Sequence, residues 1–460
     1  MSTYNRRRFL KTSGLAAAAV AASGTAGWPR KGFAKEPLGF AFWPWGSEIV
    51  TENAKLFEQE YNEQVNLQPI PGEYAAVVET KLAAKAPIDM FYAQRGQAAR
   101  WYAAGWIHPI DDMPGLEEIK KEMFPGINED SKAPDGRFIG LTYYNGGPFC
   151  LFRNEKVLSE AGYKATKNPA DYPQTWDEVY KQCVEIKKKR IVEQPFLPAW
   201  YKAWTGLPWA LIAQCFSEGD RMADADLRAT FGPDTGFRKV LEDWKRFWDA
   251  DLIPRSILTW QDTQMSNSWM KGLHAFHPYI DYQSFLYNDP KLSQIQMYNN
   301  QNPVLPGATH DTVLVGHAML CMYNRPRSAE DTKRAWNLMK FYGWKNSKGE
   351  YQTHKKWVAK ANLEVPFPAI YSDPESKAAI MKWMYPPLAE QEYQWLFEGR
   401  KRALAPNVLK APWYQEWDAV MHDMISNDVL LKGTKKPVDA TKELRANWDK
   451  LHAKYTKKKA

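Results

Sequence analysis

The apolar positions between residues 38 and 92 change period four times. Leu38 to Trp43 is a continuous apolar run of strand length. Val50, Ala54, Phe57 and Tyr61 then recur at helical spacing, Val65 and Leu67 alternate with polar neighbours, and Tyr74, Val77, Val78 and Leu82 return to the helical period. Ile88 to Tyr92, after Pro87, is a second unbroken apolar run and reads as a buried strand. Strand, helix, strand, helix, strand predicts a parallel sheet with right-handed crossovers, and so an α/β fold. Ala93 to Gly96 is small and polar and reads as a loop. Gln97 to Ala104 predicts a short helix carrying Trp101 and Tyr102, and Gly105 supplies a left-handed stop. In open α/β sheets ligands sit beyond the carboxyl ends of the strands, where Gln94 and Arg95 fall.

Further on, Thr175 and Glu178 form a capping box ahead of a helix whose apolar face is Trp176, Val179, Tyr180, Cys183 and Ile186. Pro195 to Trp209 interleaves Trp200, Tyr201, Trp204 and Trp209 with three prolines, which predicts aromatics on loops or short turns. Phe237, Val240, Leu241, Trp244 and Phe247 make another amphipathic helix. The region from Trp413 to Tyr455 is helical and aromatic in pattern.

The 460-residue length favours two lobes over one domain. The net charge of +8 comes mostly from the N-terminus: residues 1–34 hold six of the 61 basic and none of the 53 acidic residues, leaving 55 against 53, or +2, for the rest. No basic stripe marks a nucleic-acid footprint. Twenty-one tryptophans need a reason, since each indole N–H wants a partner. Cys150, Cys183, Cys215 and Cys321 are too far apart for a metal or redox motif and read as buried thiols, with a disulfide the alternative. His274 and His277 lie on opposite faces of a strand, against a metal site. No nucleophile elbow, phosphate loop, dinucleotide fingerprint or zinc-protease motif is present, and no cofactor or metal is expected.

Asn5-Arg6-Arg7-Arg8-Phe9-Leu10-Lys11, an Ala-rich stretch from Leu15 to Ala22 and the small-x-small site Gly32-Phe33-Ala34 resemble a twin-arginine export signal. Residues 1–34 are therefore expected to be cleaved, with Lys35 the first mature residue and earlier cleavage near Ala26 the alternative.

Asp89 with its apolar run, the polar loop and the turn Gly105-Trp106-Ile107-His108-Pro109-Ile110-Asp111-Asp112 together resemble the sugar-type extracellular solute-binding proteins of bacterial ABC importers, the class of maltose-binding protein. Gly136 to Tyr144, Pro173 to Glu178, Gly272 to Tyr282, Val304 to Met322 and Ser328 to Tyr342 continue the resemblance in order, over roughly residues 36–375. It implies a two-lobed periplasmic-binding-protein fold with hinge strands. The first lobe is expected from 35–145 plus 296–343 and the second from 146–295 plus 344–460.

The resemblance also implies a periplasmic monomer that closes around a small carbohydrate and delivers it to a membrane ABC permease, without catalysis. Sugar rings need flat aromatic faces and fixed hydrogen-bonding groups. The candidates near loop ends are Trp43, Trp45, Tyr92, Trp204, Trp209, Tyr279 and Tyr282, each equally open to a core role, with Gln94, Arg95, Asp281 and His317 as polar partners. Arg95 could instead pair with a carboxylate inside its lobe. A polyol or sugar-phosphate binder is the alternative, as is a periplasmic enzyme acting on polysaccharide. The enzyme would need a buried acid of raised pKa in the cleft. The adjacent Asp111 and Asp112 point apart in a turn and do not form a glycosidase pair.

Overall fold

The computed structural model describes residues 35–146, 148–201, 205–302 and 304–457, so the export segment and Trp204 lie outside the described residues. Strands β1 (Leu38–Phe42), β2 (Val65–Pro69), β3 (Met90–Gln94), β4 (Leu141–Tyr144), β5 (Phe149–Asn154), β6 (Phe276–Ile280), β7 (Asn299–Asn302) and β8 (Ala318–Met322) build two sheets. The first has the order β2-β1-β3-β8-β4, with β1 parallel to β2 and β3. β8 runs antiparallel to both β3 and β4. The second, β6-β5-β7, is antiparallel throughout.

Helices α1 (Ser47–Tyr61) and α2 (Tyr74–Ala83) make the first two crossovers, as the periodicity predicts. β1, β3, β4 and β8 are buried along their whole length, apart from half-buried Gln94 at the end of β3. That double-sided cover explains their unbroken apolar runs. No loop follows β3. The strand passes directly into α3 (Arg95–Ala103), with Gln94 as the capping residue and Gln97 reaching back to its backbone. Most of the described tryptophans are core groups, and several have the indole N–H satisfied: Trp101 donates to Glu79, Trp336 to the Pro114 carbonyl, and Trp448 to the Leu227 carbonyl, whereas the N–H groups of Trp176, Trp200, Trp357 and Trp413 have no partner.

Two hydrophobic cores result, one on each sheet. The second-sheet core gathers α4 (Trp176–Lys188), α5 (Leu207–Ser217) and α6 (Gly236–Asp249). The first-sheet core gathers α7 (Ala329–Gly343), α8 (Gln352–Ala361) and the apolar face of α9 (Ala389–Arg402). Helices α10 (Tyr414–Asp423) and α11 (Pro437–Thr456) return to the second core through Trp417, Leu444 and Trp448.

This packing differs from the expected lobe boundaries in two places. β7, within 296–343, pairs with β5 of the second sheet. Hydrophobic residues of 357–403, expected in the second lobe, pack on the first core. β7 is invisible to hydrophobic periodicity because it reads Asn-Asn-Gln-Asn. Its buried amides find polar partners for some of their atoms: Asn300 donates to Glu155 and Tyr172, and Asn299 accepts from the Trp269 indole.

The chain passes between the cores three times, near 145–148, 303–317 and 403–408, and these crossings touch. Leu314 and Leu404 exchange backbone bonds across two of them, Leu314 N–H to the Leu404 carbonyl and Leu404 N–H to the Thr312 carbonyl. Gly146 lies at φ 56° against the Gly316 backbone, where a Cβ would sit 2.0 Å from the Gly316 carbonyl carbon. Gly146→Ala should therefore cost at least about 2 kcal/mol, from left-handed strain plus overpacking. Gly72→Ala, also left-handed but in open space, should cost about 1 kcal/mol. Urea midpoints of the two variants test the difference, and equal midpoints would contradict it.

Candidate functional site

The end of β3 delivers Gln94 and Gln97 to a seam where the two cores meet. Gly96 lacks a side chain there, and the Tyr414 ring of α10 lies 3.2 Å from where its Cβ would be. Trp209, at the start of α5, covers Gly316 from the second core. Gln94, Gln97, Trp209, Val315, Tyr414 and Asp418 line a cavity of about 50 Å³. Burial pushes the Asp418 carboxyl up to about 7, held back by the neighbouring Tyr414 hydroxyl. Neither the Tyr414 hydroxyl nor Asp418 Oδ1 closes a hydrogen bond.

A second cluster lies on the same seam. Asp281 follows β6 directly, and Glu364 follows α8, which ends in left-handed Asn362. Both carboxylates reach Arg400 on α9: Arg400 Nη2 is 3.4 Å from Asp281 Oδ2 and also donates to Glu364 Oε1. All three side chains are at least 97% buried. Burial and the adjacent Glu364 hold the Asp281 carboxyl well above the ordinary range. The far oxygens, Asp281 Oδ1 and Glu364 Oε2, have no partner, nor do Arg400 Nε and Nη1. Above them an aromatic row runs from one core to the other. Trp43 lies 4.7 Å from Tyr92, Tyr92 stacks on Tyr143 at 4.2 Å, and Tyr144 meets Tyr282 edge-on at 5.5 Å. Tyr282 packs against both cores.

The expected site residues divide. Trp43, Tyr92, Gln94, Trp209 and Asp281 come to the seam. Gln94 does so as a helix cap, and the buried Tyr92 hydroxyl has no partner. Trp45 is 44% exposed and stacks on Trp357. Arg95 and His317 are engaged by protein groups, although Arg95 also lines the cavity that holds Gln94 and Asp418. Arg95 turns inward, with Nε 3.4 Å from Asp130 Oδ1 and Nη2 donating to the Lys132 carbonyl. His317 bonds Asp130 through Nδ1 and Thr142 through Nε2 at 2.6 Å. Tyr279 is likewise a second-core residue, bonded to the Tyr201 hydroxyl at 2.7 Å.

The sequence reading missed Tyr143, Tyr144, Glu364, Arg400, Tyr414 and Asp418. A carboxylate at helical spacing among the aromatics Trp413, Tyr414 and Trp417 was the available signal for Asp418. Asp111 is a turn residue that accepts from the Phe138 N–H and Arg137. His274 and His277 are buried and bonded to backbone carbonyls, and burial pushes them down to about 4 and about 3. Among the described residues no cluster of metal-ligating side chains occurs, and all four cysteines are free and buried.

The family model described as bacterial extracellular solute-binding protein matches residues 43–343, the greater part of the chain. The sn-glycerol-3-phosphate-binding periplasmic protein UgpB of Agrobacterium fabrum is 29% identical over 163 residues, covering 34% of this chain and 36% of that protein. The UgpB of Rhizobium meliloti is 25% identical over 180 residues, covering 35% and 40%. The chain therefore aligns with well under half the length of these relatives. Maltose-bound MalE3 of T. maritima superposes with a TM-score of 0.72 at 18% identity, covering 90% of this chain and 99% of that one. The sugar-binding protein MalE of Xanthomonas citri gives 0.70 at 18%, covering 92% and 98%. A solute-binding protein of Agrobacterium vitis with bound D-mannitol gives 0.67 at 15%, covering 92% and 99%. At such identities these likenesses establish the two-lobed α/β fold.

The Asp130 network yields a stability prediction. Burial raises the Asp130 carboxyl, but His317 and Arg95 outweigh burial and lower it overall. A depressed carboxylate adds stability that is present above the unfolded-state pKa and lost as pH falls through the folded one. Asp130→Asn should cost about 3–5 kcal/mol at pH 7, because Arg95 is left buried and unmatched. The gap from wild type should narrow below about pH 4. Urea unfolding at both pH values checks it, and a pH-independent gap would contradict the electrostatic origin.

Proposed function

This chain belongs to the bacterial extracellular solute-binding protein family, and we propose that it captures a carbohydrate or polyol at the seam between its two cores and delivers it to a membrane ABC permease. The observation that carries this reading is the composition of the seam. Aromatic faces from both cores (Trp43, Tyr143, Tyr144, Tyr282, Trp209, Tyr414) surround polar atoms that have no protein partner, on Tyr92, Tyr144, Asp281, Glu364 and Asp418. Apolar C–H faces and a rim of hydroxyls are the chemistry that such a surface complements. A ligand touching both cores favours the closed arrangement, and closure gives the permease a means to tell loaded from empty. Maltose and D-mannitol in the structural neighbours point to the same ligand class. The N-terminal segment would export the chain to the periplasm, where it acts as a monomer.

A sugar phosphate, which the name of the UgpB relatives suggests, fits less well. Arg95 is matched by Asp130, and Arg400 by Asp281 and Glu364. The raised carboxyls of Asp281 and Asp418 meet the requirement stated above for an enzyme acting on polysaccharide. Recovery of the ligand unchanged separates the two readings.

Thermal melting of residues 35–460 against mono- and oligosaccharides, polyols and sugar phosphates tests the proposal. A ligand at a hundred times its dissociation constant should add about 2.7 kcal/mol. Tyr414→Phe removes a hydroxyl that sits beside Asp418 without reaching hydrogen-bond geometry. It should leave the ligand-free melt unchanged within about 0.5 kcal/mol and weaken binding about three- to tenfold. No shift with any sugar or polyol would refute the carbohydrate reading, and ligand turnover would favour the enzyme.

A further inference from the structure

The Asp281–Glu364–Arg400 cluster balances its charge only by keeping a proton. Two carboxylates share one guanidinium, and no other lysine or arginine lines the cavity beside them. With both acids ionised the cluster would carry one excess negative charge in a place closed to solvent, so Asp281, its carboxyl raised by burial and by Glu364, holds its proton. The unpartnered atoms are mostly acceptors: Asp281 Oδ1, Glu364 Oε2, Asn362 Oδ1 and, close by, Gln283 Oε1 and Asn145 Oδ1. Asn362 and Gln283 are themselves more than nine-tenths buried. Donors without a partner are fewer: Arg400 Nε and Nη1 and the Tyr144 hydroxyl. A ligand hydroxyl could bond one of these oxygens only with the proton still in place. An ammonium group can take the proton's part, offering up to three donors and a full positive charge between the two carboxylates.

Size and surroundings agree. The cavity is about 10 Å³, room for one water-sized group and no more. What enters is thus a terminal group, with the body of the ligand lying along the aromatic row outside. Tyr282 and Tyr371 line the cavity, and tyrosine faces attract cations. Tyr371 already carries the Arg400 guanidinium at 4.6 Å.

We infer that the ligand is an aminated sugar or polyol whose protonated amine is held by Asp281 Oδ1 and Glu364 Oε2. The inference rests on the carbohydrate reading above and narrows it to cationic members of that class.

Matched pairs test it: D-glucose against D-glucosamine, and D-sorbitol against 1-amino-1-deoxy-D-sorbitol, titrated into residues 35–460 by calorimetry at pH 7. The amine of at least one pair should bind ten or more times tighter than its hydroxyl partner. Glu364→Gln should reduce that preference to below threefold, and Asp281→Asn provides the same readout if the first variant fails to fold. Equal or tighter binding of the hydroxyl partner would overturn the amine inference while leaving the carbohydrate reading intact. Binding of glycerol 3-phosphate in preference to all four would overturn it in favour of an anion. No binding by any sugar, polyol or phosphate would overturn both readings together.

Discussion

Two cores that pack separately are held in register by one helix with a buried carboxyl near one end and a buried guanidinium near the other. The apolar face of α9, with Tyr393 and Leu396, belongs to the first core. From its first turn Glu392 reaches across and accepts the backbone N–H of Gln301 in β7. From its last turn Arg400 holds Asp281 at the end of β6. Asp281 directly follows one outer strand of the second sheet and Gln301 lies on the other, so a single rod spans it. A buried ion pair adds little net stability, yet breaking one by removing a partner is expensive. Such contacts fix geometry more than they add stability, which suits a joint that must return to one closed arrangement.

The polar character of the seam has a consequence for motion. Each buried polar atom without a partner costs about 1–3 kcal/mol. In the arrangement of this structure Asp281, Glu364, Arg400, Tyr144, Tyr414 and Asp418 all carry such atoms. Opening would return them to water, whereas a polyhydroxylated ligand would satisfy them in place. On the proposed reading the ligand supplies the energy that favours closure, as a population shift between two arrangements requires.

The first lobe was legible in the sequence because its strands are buried on both faces and its crossover helices are amphipathic, so period alone orders β1 to β3. The second sheet was less so. β7 is four polar residues whose burial depends on Glu155, Tyr172, Trp269 and Glu392, partners up to 145 positions away. The seam escaped for the same reason: Asp281, Glu364 and Arg400 meet only after three crossings of the chain. Arg95 shows the converse ambiguity. A polar residue at a strand's carboxyl end reads as a ligand donor, but Asp130 and His317 claim the region behind it, and no local pattern distinguishes the two directions of a side chain.

The most direct test of closure on a ligand at this seam is backbone hydrogen–deuterium exchange of residues 35–460, with and without a sugar or polyol that raises the melting temperature. The account predicts ligand protection on both sides at once: Gln94–Gln97 and Asn362–Glu364 from the first core, Asp281–Ser284 and Tyr414–Asp418 from the second. Protection confined to one core, or lying away from these four segments, would contradict it.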